Sequence, residues 1–232
     1  MNDPLADFDW MKLQETYDAR TQPCYEKKRN LLSQSVNNIR RFLPHTIERD
    51  LYHSMVGAVQ RQSCNFTTIN ADFYTAIVFW KLYSTSLKVP HELMRNASLF
   101  NNVQKKLDKI SRNFPDVLER DVDRIIELVH YFDEYVIYGM KSSTTLPMRT
   151  TFLHFLYPDV VPIFDRMVLQ AVGFEKCAAK AATKDISSLR KYILHAWALV
   201  DRYRDIMPKG VRETPVRMLD MALWVHRGDA KR

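Results

Sequence analysis

The sequence has little glycine and no organised cysteine pattern. Its 232 residues include only five glycines, and runs with helical periodicity are interrupted mainly at prolines. This combination favours an all-α protein over a sheet protein, which would need many tight turns. Cys24, Cys64 and Cys177 lie far apart and outside any CxxC or CxxH spacing, so a disulfide framework and a zinc site are both poorly supported. Such cysteine usage is typical of a reducing compartment.

Several other classes of protein are disfavoured by missing motifs. No GxxxxGK(S/T) or GxGxxG segment occurs, which argues against a nucleotide phosphate loop, and the seven histidines are too dispersed for a metallonuclease. No apolar run approaches the length of a membrane span, and the opening residues lack the basic and apolar regions of a signal peptide. We therefore expect a soluble, cytoplasmic protein with no membrane contact, no cofactor and no metal.

Positive charge is concentrated in the C-terminal part of the chain. The net charge is +7, and residues 176–232 hold 13 lysines and arginines against 6 aspartates and glutamates. The first 175 residues contain 21 of each sign. A basic segment on an otherwise neutral body attracts phosphates, which points to nucleic acid. The alternative is a solvated, lysine-rich surface, since surplus charge alone identifies no partner.

Apolar residues at helical spacing predict about nine helices and no strand. The predicted helices cover residues 26–43, a buried segment that Asp72 opens, a stretch between Pro90 and Ile110, and residues 121–138, 147–157, 166–172, 187–203 and 215–226. Prolines and capping residues mark most of their ends. The pattern predicts one irregular all-α domain over residues 1–232, with two helical lobes and a cleft between them as one arrangement of it.

One aspartate stands out between a proline-rich segment and a short helix. Residues 159–164, DVVPIF, are expected to be extended, because Pro158 and Pro162 disfavour helix at and before their own positions. Asp165 follows at the natural N-cap of the next helix, and Gly173 lies just beyond the end of that helix. Either this carboxylate only caps the helix, or a rigid backbone holds it in a partly dry cleft, where it stabilises a developing cation or orients a water.

The arrangement within residues 125–173 resembles the core of a known enzyme superfamily. A helix, a short hairpin, a second helix, the extended PDVVPIFD and a further helix follow one another as in the helix-hairpin-helix DNA glycosylases. The segment TPVRMLDMALWVH resembles the C-terminal helix of relatives of the archaeal and 8-oxoguanine-type enzymes. The resemblance implies a multi-helix fold of glycosylase type, double-stranded DNA with a flipped modified base as partner, and Asp165 as the catalytic carboxylate.

The chain departs from this superfamily in its hairpin. The usual Leu-Pro-Gly-Val-Gly-like turn, whose backbone N–H groups hold a DNA phosphate, is replaced by KSSTTL at residues 141–146. No four-cysteine iron–sulfur pattern follows. In family members that also cleave the strand, a lysine near the hairpin attacks the sugar, and Lys141 is the lysine nearest to that place. A phosphate-contacting or solvated lysine is the alternative. We favour a water-using mechanism, because an exposed hairpin does little to desolvate an amine.

Further candidate site residues are aromatic or polar and lie near the two ends of the motif. For the flipped base they are His154, Tyr157, Trp80, Tyr138 and Trp224, and for the DNA backbone they are Arg149, Arg166, Ser142, Ser143 and Thr144. Aromatic residues at helical spacing are also ordinary core residues, and a buried histidine is satisfied by a backbone carbonyl. Arg217 is another phosphate candidate, although Asp220 lies three residues later on the same helix and is placed to pair with it.

These observations together predict a monofunctional DNA glycosylase for a damaged or modified base. A non-catalytic helical protein that binds DNA or a protein partner on the same scaffold is the alternative. The identity of the base is not predicted, because the pocket residues would come from several helices.

Overall fold

A computed structural model describes the backbone of residues 1, 3–61, 69–140 and 146–229. Within these ranges the chain forms eleven α-helices, three short 3-10 helices and no strand. The helices are α1 (Leu13–Ser33), α2 (Glu48–Arg61), α3 (Ala71–Leu82), α4 (Lys88–Arg95), α5 (Ala97–Ile110), α6 (Val122–Glu134), α7 (Leu146–Leu156), α8 (Arg166–Ala171), α9 (Lys176–Ala182), α10 (Ile186–Tyr203) and α11 (Pro215–Asp229). The all-α prediction is confirmed. Among the described residues, no helix combines the length and apolar character that a membrane crossing requires.

The first predicted helix is displaced along the chain. Helix α1 begins at Leu13, contains Pro23 and ends at Ser33, whereas the prediction covered residues 26–43. Asn38 has a left-handed backbone with φ of 56°, which stops helical propagation, and Ile39–Arg41 forms a single 3-10 turn. Apolar side chains on this turn are buried, so their spacing imitated the continuation of a helix.

Three other helix predictions also differ from the structure. The stretch between Pro90 and Ile110 is two helices, because Asn96 adopts an extended backbone and caps α5 by accepting a hydrogen bond from the Leu99 N–H at 3.0 Å. Helix α6 ends at Glu134 instead of residue 138. Helices α2 and α9 were not predicted.

The chain divides into two compact units. The first unit comprises Met1–Tyr17, Leu118–Val129 and Ser143–Arg232, and the second comprises Asp18–Val117 and His130–Ser142. The motif resembling the glycosylases is therefore distributed over both units. The cleft stays a prediction.

The first unit is built around α8. Helix α8 packs against α9 and α11, and α10 also packs against α11. Helix α7 is buried on all sides, since every residue from Leu146 to Leu156 except Pro147 is buried. Thr150 and His154 on this helix, and Tyr157 directly after it, are therefore buried.

The second unit is centred on α3. Helix α3 packs against α2, α4 and α5, and eight of its twelve residues are buried. The phenol of Tyr74 donates a hydrogen bond to the Tyr138 carbonyl at 2.7 Å. Burial raises the pKa of Tyr74 well above its ordinary value, so this donor stays neutral. The prediction of a central buried helix opened by Asp72 agrees with this arrangement.

Candidate active site around Asp165

The segment before Asp165 is held by side chains. The prediction that it is extended is wrong at Asp159 and Val160, which lie in a turn where the N–H groups of Val160 and Val161 donate to the Tyr157 carbonyl at 3.1 and 3.0 Å. Residues 161–164 are buried and belong to no helix, so their polar backbone groups need other partners. Four side chains bind the backbone of residues 158–164: Thr214 Oγ1 donates to the Pro158 carbonyl at 2.7 Å, Trp197 Nε1 to the Val160 carbonyl at 2.7 Å, His154 Nδ1 lies 2.7 Å from the Val161 carbonyl, and Thr150 Oγ1 accepts from the Phe164 N–H at 3.2 Å. These contacts come from α7, α10 and the start of α11, so the segment is fixed from three directions.

Asp165 is the N-cap of α8, as predicted. Its backbone is extended, with φ of −149° and ψ of 174°, and Oδ1 accepts hydrogen bonds from the N–H groups of Met167 at 2.7 Å and Val168 at 3.1 Å. The side chain is half-buried. Two N–H donors and the positive end of the helix dipole stabilise a negative charge at this position. The carboxylate is thus charged, fixed in direction and partly open to solvent.

A buried ionic cluster lies on the neighbouring helix α11. The Arg217 guanidinium, 1% exposed, donates through Nη1 to the Asp220 carboxylate and through Nη2 to the Tyr17 hydroxyl at 2.7 Å. Its carbon Cζ also lies 5.0 Å from the centre of the Tyr17 ring. The pairing of Arg217 with Asp220 was the alternative to a phosphate contact, and this alternative is confirmed. Burial of both charges means that each depends on the other for its stability.

Tyr192 connects the ionic cluster electrostatically to Asp165. Burial raises the pKa of Tyr192 well above its ordinary value, and the negative charges of Asp220 and Asp165 raise it further. Coulomb interactions weaken with distance, so both carboxylates lie within electrostatic reach of this phenol. The Tyr192 ring also packs on Phe164, the residue before Asp165, with ring centres 5.5 Å apart. The charge of Asp165 therefore acts on the same buried phenol as that of Asp220.

Comparison with known proteins leaves the family open. No family model matches the chain. No curated protein and no solved structure matches it either. The similarity to helix-hairpin-helix glycosylases therefore depends on the sequence motif alone.

The hairpin candidates lie outside the described residues. Lys141, Ser142, Ser143 and Thr144 all fall between residues 141 and 145. Their predicted roles in strand cleavage and phosphate binding stay predictions.

Three candidate site residues, on α7 and directly after it, are buried in the first unit instead of being exposed to a ligand. Arg149 is 2% exposed and donates to the Val129 carbonyl at 3.1 Å, so a DNA phosphate does not reach it in this conformation. His154 is fully buried, and its Nδ1 is engaged by the Val161 carbonyl. Tyr157 is 5% exposed. Since His154 binds the segment leading to Asp165, it is better placed to position the carboxylate than to hold a base, and burial keeps Arg149 and Tyr157 from a ligand in this conformation.

The remaining candidates are divided between the units. Trp80 is buried in the second unit, where its ring centre lies 5.9 Å from that of Tyr52. Tyr138, also in the second unit, donates its hydroxyl hydrogen to Glu92. In the first unit, Arg166 is exposed directly after Asp165, and Trp224 is half-buried on α11. Arg166 and Trp224 thus keep surface that a ligand can touch.

Sequence reasoning missed the tyrosines of the site. Tyr17 and Tyr192 lie on helices whose apolar stripes draw attention to other residues, and no local motif marks either of them. Only the packing of α10 and α11 brings Tyr192 near Asp220. No group of three histidine, cysteine or acidic side chains placed to hold a metal ion occurs in the part of the chain that the structure describes.

Proposed function

We propose that this protein is a monofunctional DNA N-glycosylase in which Asp165 is the catalytic carboxylate. The observation that carries the proposal is a half-buried carboxylate whose direction is fixed by two backbone N–H groups. The backbone segment before it is held by hydrogen bonds with side chains. Cleavage of a glycosidic bond develops positive charge on the sugar as the base departs. A fixed anion next to that sugar stabilises the charge without having to reorganise during the reaction.

Water is the nucleophile in this proposal. One oxygen of Asp165 is held by the helix N-terminus, which leaves the carboxylate oriented while it attracts the sugar cation and aligns a water for attack on the anomeric carbon. The target base has to leave the stack first, since the bond is not accessible within a duplex. Arg166, exposed beside the carboxylate, is suited to contact the phosphate that flanks the flipped nucleotide.

A non-catalytic DNA-binding or partner-binding protein is the second candidate. The hydrogen bonds of Asp165 are those of an ordinary N-cap, and a helix cap by itself explains the choice of aspartate. On this view, the charge of residue 165 stabilises the helix and has no part in a reaction on DNA.

Two substitutions of Asp165 separate capping from catalysis. Asparagine caps a helix about as well as aspartate, whereas alanine costs about 1 kcal/mol. We expect Asp165→Asn to keep the fold and lower base release by about 10² to 10⁴-fold, and Asp165→Ala to lower both stability and activity. The assay is alkali-sensitive strand breakage in duplexes that carry oxidised purines, alkylated bases, uracil or bulky modified pyrimidines.

The outcomes of this assay are decisive for the proposal. If the wild-type protein releases no base from any duplex, or if Asp165→Asn is as active as the wild type, the catalytic role of Asp165 is refuted. Borohydride trapping of a covalent protein–DNA adduct would instead replace water with an amine nucleophile.

A further inference from the structure

The lysines of α9 form an exposed basic face in the first unit. Lys176 and Lys180 lie four residues apart on this helix, and Lys184 follows one turn later, just after the helix ends. All three are exposed. The rise of an α-helix places successive members of such a series about 6 Å apart. We call these three residues the α9 lysines.

Local acidic groups do not neutralise the α9 lysines. Exposed Glu175 and Asp185 flank the series at its two ends, but none of the three lysines forms an ion pair with another described residue. The arginines of the same basic region behave differently. Ion pairs engage Arg190 with Asp123, Arg202 with Asp3, Arg204 with Asp201, and Arg217 with Asp220. The positive charge of the C-terminal part is therefore left unpaired mainly on lysines, and residues 176–184, which comprise α9 and the two residues after it, hold three of them.

The surface between the α9 lysines consists of small side chains. Cys177, Ala178 and Ala181 are exposed there, and Ala179 and Ala182 are buried against the rest of the unit. Short side chains let a regular polyanion approach the helix closely. A membrane-binding helix, in contrast, inserts large apolar side chains such as tryptophan, phenylalanine or leucine, and the exposed face of α9 has none.

We propose that α9 is a docking surface for the phosphate backbone of DNA, bound through Lys176, Lys180 and Lys184. The surface is adjacent to the catalytic element, because α9 packs directly against α8, the helix that Asp165 caps. This inference takes its ligand, DNA, from the proposed function, but it does not require that the protein releases a base. Contacts of this kind carry no sequence information and hold the protein on the duplex.

Charge reversal tests the surface with a matched control. The variant is Lys176→Glu/Lys180→Glu/Lys184→Glu. The control changes exposed side chains of α5 and of the 3-10 turn that follows it in the second unit, Lys105→Glu/Lys109→Glu/Arg112→Glu, with the same change in net charge. Binding of each protein to a fluorescent, unmodified duplex is measured by anisotropy between about 50 and 200 mM salt. Thermal melts confirm that both variants are folded.

We expect the α9 variant to bind at least tenfold more weakly and to lose about 2 to 3 from the magnitude of the salt slope, because each phosphate contact contributes about 0.9. The α5 control should keep a slope within about 1 of the wild type. Equal losses in both variants, no loss in the α9 variant, or no binding by the wild type would overturn the proposal. Loss of binding to phosphatidylserine vesicles with unchanged DNA binding would assign the surface to membranes.

The same measurements distinguish this proposal from the proposed function. Binding of unmodified duplex through α9 by a protein that releases no base would leave the docking surface established and the enzyme refuted. Base release by the wild type, together with duplex binding that the α9 variant leaves unchanged, would support the enzyme and reject the surface.

Discussion

Removal of the Arg217 side chain is the sharpest test of the cluster beside Asp165. The side chains of Arg217 and Asp220 are 1% and 10% exposed, and the arginine also donates to the Tyr17 hydroxyl. Substitution by methionine keeps most of the volume but leaves the Asp220 carboxylate without its guanidinium in a buried site. Breaking a buried pair in this way costs about 3 to 5 kcal/mol. For a chain of this size, such a loss lowers Tm by about 6 to 20 °C.

A surface pair supplies the control for this substitution. Arg190 and Asp123 form an ion pair of the same chemistry, but their side chains are 40% and 76% exposed. Because water screens exposed charges, Arg190→Met should cost only about 0 to 1 kcal/mol. The double variant Arg217→Met/Asp220→Leu should recover part of the lost stability, since it removes both buried charges together.

Thermal and urea unfolding, followed by circular dichroism, measure these differences. An Arg217→Met variant that unfolds within about 1 kcal/mol of the wild type would refute the reasoning, because the site would then behave as a solvated surface. The same conclusion would follow from equal effects of Arg217→Met and Arg190→Met.

Two further predictions concern backbone strain and pH. Gly139 has φ of +92°, and a Cβ there would lie 3.1 Å from the Tyr74 hydroxyl, whereas Gly210 has φ of +76° and open space around it. We expect Gly139→Ala to cost about 1 to 3 kcal/mol more than Gly210→Ala in urea unfolding, and equal costs would contradict the packing argument. Burial raises the pKa values of Tyr25, Tyr74 and Tyr192 above their ordinary value of 10.0, so the unfolded chain loses these protons first. Stability is therefore complete below about pH 10 and falls above it, by about 1.4 kcal/mol per pH unit for each tyrosine. Of the eleven tyrosines, these three should contribute tyrosinate absorbance only as the protein unfolds, and ionisation of all eleven while circular dichroism stays native would reject this assignment.

Local rules of the sequence were sufficient where a single residue decides the backbone. Asp165 was predicted as an N-cap, and two N–H groups bind it there. Pro158 and Pro162 predicted a non-helical segment, which residues 161–164 confirm, because a proline ring disfavours helix at and before its own position. The pairing of Arg217 with Asp220 was among the stated alternatives, because residues three apart on a helix are neighbours.

Predictions failed where distant parts of the chain decide the outcome. Arg149 is buried against a partner 20 residues away, whereas its polar character indicated exposure. His154 instead takes the stated alternative of a buried histidine bonded to a backbone carbonyl. The break at Asn96 divides a stretch whose apolar periodicity is continuous, because one side chain stabilises a new helix start.

The sequence by itself determined that the chain is helical, where its proline breaks lie, and which aspartate begins α8, because these properties follow from each residue's own backbone preferences. Only the tertiary structure decided that the residue before Asp165 packs on Tyr192, that Arg217 and Asp220 form a buried pair, and that the α9 lysines are exposed while nearby arginines are paired. Burial and charge pairing depend on residues that are far apart in sequence, so no local pattern contains them.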